Sequence, residues 1–276
     1  MSEKMHAGRV ALVTGGASGI GRATARLLAA RGARVCVADV DRAGAESVAK
    51  EIEESGGEAF VCAVDVSREP DNTAMVEQTL ARFGGLHLAH LNAGIARYST
   101  ILGGDMSVWN QVIAVNLTGV YLGMRAVGAA MVSRGGGSIV ATASVAGLTG
   151  GSGMPSYYAS KHGVVGLVRA AATELAPQKI RVNAVCPGVI DTPILGPGHG
   201  VPEITQRLGE GHLLRRVGQP DEVAQLVSFL LSDQASFVTG GAYTVDGGMT
   251  ATFESGARTP EDDARLAQLL GGPGRS

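Results

Sequence analysis

Cysteine is scarce in this chain of 276 residues, which has only three, Cys36, Cys62 and Cys186. Their number is odd, they lie far apart, and each is surrounded by apolar residues. This pattern is typical of buried structural thiols and excludes a disulfide-rich scaffold. We therefore expect a protein of a reducing compartment, the cytoplasm.

An excess of charge and a membrane-directed segment are also lacking. The formal net charge is −2, which gives no indication of a basic surface for nucleic acid. The amino terminus has no apolar core of signal-peptide length, and no uninterrupted apolar run approaches the roughly 18 residues of a membrane span. The expected partners are small molecules and further copies of the chain, with no nucleic acid and no membrane.

Glycine, in contrast, is abundant, with 41 residues, about twice the usual share. Short apolar runs alternate with stretches of helical spacing, which is typical of a parallel doubly wound sheet. The predicted strands are 10–13, 34–38, 59–64, 86–91, 138–142, 180–185 and 243–245, and the predicted helices are 22–31, 43–55, 70–83, 108–134, 157–177, 203–208 and 220–231. The predicted fold class is α/β, a single Rossmann-like domain over 1–250 with about seven strands and helices on both faces, followed by an extension at 251–276.

Three glycines, Gly15, Gly19 and Gly21, follow the first strand. Turns without side chains let a pyrophosphate approach the amino end of the next helix, where amide donors and the helix dipole favour an anion. The spacing is Gly-x-x-x-Gly-x-Gly, which differs from the standard dinucleotide fingerprint. On the loop alone, a turn that binds no ligand is an equal alternative.

Asp39 ends the second strand, 18 positions after Gly21. A carboxylate near that offset binds the ribose hydroxyls in dinucleotide sites, and it would repel the 2′-phosphate of NADP. Neither Ala17 nor Ser18 supplies a cation for that phosphate. We therefore expect NAD (NADH) as the cofactor, with NADP less favoured. The alternative is that Asp39 only caps the following helix.

Tyr157 and Lys161 lie four residues apart at the start of an alanine-rich run, so they share a face if that run is a helix. A phenol titrates near pH 10, and a neighbouring cation lowers its pKa. The pair can thus serve as a proton donor and acceptor. By itself, the spacing also fits an ordinary solvated helix pair.

Several motifs occur together in one order. Residues 14–21 read Thr-Gly-x-x-x-Gly-x-Gly, residues 92–94 read Asn-Ala-Gly, and residues 157–161 read Tyr-x-x-x-Lys. This set resembles the short-chain dehydrogenase/reductase family over residues 8–249, nearly the whole chain. The resemblance implies hydride transfer between NAD(H) and the carbon of a secondary alcohol or ketone.

The resemblance implies four catalytic residues, Asn116, Ser144, Tyr157 and Lys161. Ser144 would hold the substrate oxygen, and Tyr157 would exchange the proton. Lys161 would lower the pKa of Tyr157 and bind the nicotinamide ribose, and Asn116 would help to position a water. The structural alternatives are that Ser144 is a turn serine and that Asn116 bridges backbone groups.

Two neighbours compete for these roles. Thr142 lies two residues before Ser144 on the same strand, and Tyr158 follows Tyr157. Tyr158 is three residues from Lys161, one step round the helix, and we assign it to the pocket wall or to packing.

The resemblance also implies a set of cofactor contacts near the carboxyl ends of the strands. Asp65 and Val66 would contact the adenine, and Ile190 and Thr192 would contact the carboxamide end. The full set is Gly15, Ala17, Ser18, Gly19, Ile20, Gly21, Asp39, Asp65, Val66, Asn92, Ala93, Gly94, Tyr157, Lys161, Pro187, Gly188, Ile190 and Thr192.

The fourth strand departs from the family pattern at two positions. Leu91 stands where the family has the first of two asparagines, and His87 replaces an acidic residue. We expect Leu91 to change packing or cofactor affinity before it changes the chemistry. His87 and His90 would face opposite sides of the strand, so no metal pair is expected.

The predicted substrate contacts are Ser144, Leu148, Met154, Tyr157, Ile194 and Leu195, the last two in a substrate loop at 187–215. Because these walls are largely apolar, we expect an apolar or cyclic alcohol or ketone, with steroid-like compounds possible. Basic residues in and just after the loop, such as His199 and Arg216, leave room for a carboxylate or thioester tail. The alternatives are a 3-oxoacyl-thioester reductase and, from another class, a non-catalytic NAD(H)-binding scaffold or regulator.

The predicted helices at 108–134 and 157–177 carry apolar residues on more than one face, which indicates a partner subunit. The resemblance implies a homotetramer, a dimer of dimers. Further on, residues 260–270 predict a short capped helix, and residues 271–276 predict a flexible terminus. We expect a surface appendage there, the alternative being a segment that packs over a substrate site.

Overall fold

Seven parallel strands form one sheet in the computed structural model, which describes residues 4–251. The strands are β1 (Val10–Thr14), β2 (Arg34–Asp39), β3 (Glu58–Ala63), β4 (Leu88–Leu91), β5 (Gly137–Thr142), β6 (Ile180–Pro187) and β7 (Ala242–Val245). Their order is β3-β2-β1-β4-β5-β6-β7. The predicted doubly wound α/β fold is confirmed, whereas the helix predicted at 260–270 and the terminus at 271–276 lie outside the described residues.

Helices connect the strands and cover both faces of the sheet. They are α1 (Gly19–Ala30), α2 (Arg42–Glu54), α3 (Glu69–Phe83), α4 (Met106–Ile113), α5 (Gly119–Val132), α6 (Pro155–Leu175), α7 (Pro202–Gly209) and α8 (Pro220–Leu231). Three of them, α6, α7 and α8, begin at a proline. Proline suits this position because its missing N–H would have no partner in the first turn.

Successive strand residues point to opposite faces, and each face has its own apolar core. Val13 of β1 lies in the core beneath α1, α2 and α8. Leu12 lies in the core beneath α3, α5 and α6. Because β1 lies between β2 and β4, the strand order reverses there, and a ligand crevice is expected at the carboxyl ends of these strands.

The helix predicted at 108–134 is interrupted. It begins at Met106, and a π-helical turn, Ala114–Thr118, separates α4 from α5. The Gly119 N–H donates to the carbonyl of Ala114, five residues earlier. The wider turn places Asn116 in the fold interior, fully buried, and such turns often occur at functional sites.

The same stretch, Met106–Val132, is long and apolar enough to cross a membrane by length and composition, with a mean hydropathy of 1.4. Its residues pack against α3, α6 and β4. A core helix of a layered domain passes the same test, so we assign this stretch to the layer over the sheet.

The three cysteines are free and buried, as the sequence predicted. Leu91 is buried as well, and it packs against Gly123 of α5. The ring of His87 accepts a hydrogen bond at Nδ1 from the Val10 N–H, at 3.0 Å. His87 therefore binds the start of β1, and Leu91 provides packing against α5.

Candidate active site

The turn between β1 and α1, residues 14–21 and here called the glycine loop, depends on its glycines. Gly15 and Gly19 have φ values of 63° and 50°, which favour glycine. A side chain at Gly21 would collide with the carbonyl oxygen of Gly15, and one at Gly15 would lie 2.9 Å from the Cα of Ala93. The loop is thus held close to the end of β4.

The amino end of α1 suits an anion. Its N-cap residue, Ser18, makes no side-chain capping bond, and the first turn carries no acidic residue. The amides of this turn and the helix dipole therefore remain available. The residues present fit a dinucleotide pyrophosphate, which gives the glycine spacing a physical reason.

Asp39 lies beside this loop at the end of β2. Its Oδ2 accepts from the Ala17 N–H and its Oδ1 from the Asp41 N–H, both at 2.9 Å. The alternative that Asp39 caps α2 is wrong, because the N-cap of α2 is Asp41, which accepts from the Gly44 N–H at 3.1 Å.

The two predicted adenine contacts follow β3, next to the end of β2. Asp65 accepts from the N–H and the hydroxyl of Ser67. The side chain of Val66 packs against Gly119, and its carbonyl accepts from Asn72. For contact with an adenine, Val66 therefore has little more than its backbone N–H available. Asp65 is half-buried.

Asn92 ties the end of β4 to the glycine loop. Its backbone N–H and that of Ala93 donate to the Thr14 hydroxyl. Its side-chain Nδ2 donates to the carbonyls of Thr14 and Gly15, at 3.2 and 3.4 Å. Gly94 follows, and a side chain there would meet Asn116 Oδ1 at 3.4 Å and Lys161 Nζ at 3.5 Å.

Tyr157 and Lys161 both lie on α6, as their spacing predicted. The ammonium of Lys161 lies 5.5 Å from the centre of the Tyr157 ring. It donates to the carbonyl of Thr142, at the end of β5, at 2.8 Å. Lys161 is only 3% exposed, so the pair is not the solvated surface pair that the spacing alone allowed.

Burial dominates the electrostatics of this pair. It raises the pKa of Tyr157, and the neighbouring hydroxyl of Ser144 opposes that shift only in part. It lowers the pKa of Lys161 to about 8. A net depression of the Tyr157 pKa, which the sequence predicted, is therefore not found with the protein's own groups alone, because loss of hydration outweighs the hydrogen bond with Ser144.

Ser144 is buried and begins the single helical turn Val145–Gly147, where its Oγ accepts from the Ala146 N–H at 3.1 Å. This hydroxyl therefore also serves as a turn cap, and its proton remains free to donate. The rival Thr142 points elsewhere, since its hydroxyl donates to Asn92 Oδ1 at 3.0 Å. Of the two hydroxyls, Ser144 is the one close enough to affect Tyr157.

Asn116 uses its whole side chain within the protein. Its Oδ1 accepts from the Ile95 N–H at 2.8 Å, and its Nδ2 donates to the Ile95 carbonyl at 2.9 Å and to Ser160 Oγ at 3.2 Å. The side chain of Asn116 therefore bridges backbone groups, as the structural alternative predicted. Asn116 fixes the segment after β4 against α6, and it acts on the site through that segment.

Ser160 is the residue that sequence reasoning missed. Its hydroxyl donates to the carbonyl of Tyr157 at 2.7 Å and receives the bond from Asn116. It is fully buried. The available signal was its position, three residues after Tyr157 on the same helix face, but spacing could not show its partner 44 positions earlier.

The predicted cofactor contacts after β6 divide into two groups. Thr192 approaches the glycine loop, since a side chain at Gly19 would lie 3.0 Å from its Cγ2. The side chain of Ile190 is buried in the core beneath α8 and pairs with Gly218, so only its backbone can face a cofactor. At Gly188, a side chain would meet His212 and Asp246.

The predicted substrate residues lie on three segments beyond the carboxyl ends of β5 and β6. Leu148 and Ile194 are exposed, and Met154 and Leu195 are half-buried. The Ser99 N–H donates to the Gly153 carbonyl at 2.9 Å, which joins the segment after β4 to the one before α6. The predicted apolar substrate side chains are therefore all at least partly exposed.

Two basic residues, one in the substrate loop and one just after it, already have acidic partners. His199 pairs with Asp191, and Arg216 makes two bonds to Glu222. A third, His212, is buried and accepts from the Val189 N–H. These three side chains are therefore committed to holding the loop.

The chain is similar to known proteins over most of its length. A family model described as enoyl-(acyl carrier protein) reductase matches residues 15–250. Cyclohexanol dehydrogenase of Acinetobacter sp. (strain SE19) is 44% identical over 91% of this chain and 98% of its own length. Cis-4-hydroxycyclohexanecarboxylate dehydrogenase of Sinomonas cyclohexanicum is 43% identical over 88% of this chain and 97% of its own length. The crystal structure of a short-chain type dehydrogenase/reductase from Mycobacterium marinum is 35% identical, covers 90% of this chain and 97% of that one, and has a TM-score of 0.85.

Proposed function

The chain belongs to the short-chain dehydrogenase/reductase family and is an oxidoreductase of CH–OH groups, and from that premise we propose an NAD-dependent dehydrogenase of alicyclic secondary alcohols. The observation that carries the proposal is the cluster at the end of β5. There the hydroxyls of Ser144 and Tyr157 are neighbours, and the buried ammonium of Lys161 lies beside the tyrosine ring.

In this proposal, the glycine loop, Asp39 and Lys161 would hold the dinucleotide, which would supply hydride-transfer chemistry at the carbinol carbon. Ser144 donates its free proton to the substrate oxygen and orients it. Tyr157 takes the hydroxyl proton as the alcohol becomes a ketone, and gives it back in the reverse reaction. Lys161, held by the Thr142 carbonyl, stabilises the phenolate that this transfer leaves behind.

The NAD preference rests on Asp39. Its carboxylate is held at the loop by the Ala17 and Asp41 amides, where a ribose 2′-hydroxyl can donate to it and a 2′-phosphate is repelled. Its neighbour Val40 is exposed and uncharged. Neither residue offers the cation that NADP recognition uses.

The alicyclic substrate class rests on two independent grounds. Both of the relatives named above act, by their names, on cyclohexane alcohols. The predicted substrate side chains Leu148, Met154, Ile194 and Leu195 are apolar and at least partly exposed. Three basic side chains in and just after the substrate loop already have partners. An uncharged ring of about cyclohexane size suits these residues better than a multiply charged substrate.

A panel of cyclic and linear secondary alcohols and ketones, assayed by NADH absorbance in parallel with NADPH, tests the proposal. We expect turnover of cyclohexanol-type alcohols with NAD and little with NADP. A strong preference for NADPH and 3-oxoacyl thioesters would favour the second candidate, a thioester reductase, to which the description of the family model points. NADH binding without turnover of any compound would favour a non-catalytic scaffold.

We also propose the homotetramer as the state in solution. The exposed side chains of Met106 and Trp109 on α4 and Tyr121 on α5 support it, because they leave apolar surface uncovered on one subunit. Sedimentation at several concentrations measures the assembly, and a monomer at all concentrations would contradict it.

A further inference from the structure

A buried chain of polar side chains runs beneath the glycine loop, on the sheet face covered by α1 and α8. His90 of β4 lies 2.8 Å through Nε2 from the hydroxyl of Thr142 on β5. That hydroxyl lies 3.0 Å from Asn92 Oδ1. His90 has no exposed surface, and nothing assigned above to the reaction uses it.

The direction of each hydrogen bond follows from the chemistry of the groups. Asn92 Nδ2 faces the carbonyls of Thr14 and Gly15, so its Oδ1 faces Thr142 and can only accept. The single proton of the Thr142 hydroxyl must therefore point to Asn92. Thr142 then has only lone pairs to offer His90, and the imidazole must donate from Nε2.

A second observation agrees with this assignment. Burial lowers the pKa of His90 to about 3, so the ring is neutral and carries one N–H. Its Nδ1 is buried and, among the described residues, has no hydrogen-bond partner. An unpaired lone pair is better tolerated there than an unpaired N–H, so the proton again belongs on Nε2.

We propose that His90 is a positioning residue of the cofactor site: through Thr142 it fixes the side chain of Asn92, and thereby the spacing between the glycine loop and the end of β4. The carbonyl of the same Thr142 accepts from Lys161. One residue of β5 thus links the glycine loop, the catalytic lysine and His90. The inference rests on the proposed function for the identity of the cofactor.

Three substitutions of His90 separate positioning from simple filling of space. Glutamine places its amide nitrogen where Nε2 lies, asparagine places it where Nδ1 lies, and leucine has no donor. We expect His90→Asn and His90→Leu to raise the Kd for NADH about three- to tenfold, the effect of one lost hydrogen bond. His90→Gln should remain within about twofold of the parent. The proposal would be overturned if all three variants lost NADH affinity to the same extent, or if none of them lost any.

A double-mutant cycle guards against indirect effects on folding. In a Thr142→Val background, His90→Leu should change the Kd for NADH little further, because its route to Asn92 is already removed. Additive losses would contradict the proposed route. Melting temperatures of every variant show whether a change in affinity only follows a change in stability.

The tautomer can be tested on the protein alone. In ¹⁵N-histidine NMR, with the His90→Asn variant identifying the signals, we expect a proton on Nε2 and no titration between pH 8 and 5. A proton on Nδ1, or a ring that titrates in this range, would overturn the inference. A parent protein that binds neither NADH nor NADPH would instead count against the proposed function, and the NMR result would still decide the direction of the hydrogen bond between His90 and Thr142.

Discussion

The nucleotide-binding region, β1–β3 with α1 and α2, and the catalytic region, β4–β6 with α4–α6, are built in different ways. The first uses mainly backbone: a glycine loop, an uncapped helix end and one carboxylate, Asp39. The second uses buried side chains, such as Asn116 and Lys161, whose partners lie on other elements. The first region is therefore defined by local spacing, and the second by tertiary contacts.

This difference predicts that each region can be damaged separately. Chemistry should fail without loss of cofactor binding when the phenol oxygen of Tyr157 is removed. Cofactor preference should change without loss of chemistry when Asp39 is replaced. Four variants, one of them a double substitution, probe the two regions, beginning with the one from which we expect the largest effect.

Tyr157→Phe removes only the phenol oxygen and leaves the ring beside Lys161. We expect kcat to fall by about three orders of magnitude, because general acid–base catalysis is lost, while the Kd for NADH changes by less than about threefold. Steady-state kinetics on an alcohol that the parent oxidises, with NADH titration by fluorescence, measures both quantities. Turnover within tenfold of the parent would refute the assignment of the proton to Tyr157.

Lys161→Met removes a buried ammonium, and we expect it to abolish turnover and stabilise the protein. The folded-state pKa of about 8 lies below the usual 10.5, a difference of about 3 kcal/mol. Below pH 8 the lysine is protonated in both the folded and the unfolded state of the parent. The folded protein therefore bears the full free-energy cost of burying the ammonium. Between pH 8 and 10.5 the unfolded state binds more protons, so the free energy of unfolding of the parent rises with pH.

Urea unfolding at pH 7.5, 8.5 and 9.5 tests this sign. The methionine variant should be more stable by up to about 3 kcal/mol at pH 7.5, and its advantage should shrink as the pH rises. A variant less stable than the parent at every pH would show that the bond to the Thr142 carbonyl outweighs the cost of burial.

Asp39→Ala combined with Val40→Arg addresses the nucleotide-binding region alone. The change removes the repulsive carboxylate and supplies a cation at an exposed position. We expect the preference for NADH over NADPH to shift about a hundredfold towards NADPH, two charge effects of roughly 1.4 kcal/mol each. The kcat with the better cofactor should stay near that of the parent. An unchanged ratio of the two Kd values would exclude Asp39 as the discriminator.

The two regions also differ in how far the sequence predicted them. The strands, the glycine loop and the place of Asp39 followed from apolar periodicity and local spacing, because these features are decided by neighbours in the chain. The π turn at Asn116 and the bond between Ser160 and Asn116 did not, since both depend on segments that only folding brings together. The raised pKa of Tyr157 was not predicted either, because a four-residue spacing does not show how deeply the side chains are buried.

Ser160→Ala tests the tertiary character of the catalytic region with the smallest expected effect. Its hydroxyl joins Tyr157 to Asn116, and losing these bonds should cost about 1–2 kcal/mol of stability. It should also lower kcat about threefold to tenfold, because the tyrosine and the segment after β4 are no longer held together.

Ser156→Ala is the matched control on the same helix, since the Ser156 hydroxyl is equally buried but has no partner among the described residues. We expect the control to keep its kcat and to be as stable as the parent or more so. Equal losses of kcat and stability in the two variants would mean that removing any buried hydroxyl from α6 has the same effect. The bond between Ser160 and Asn116 would then have no separate role.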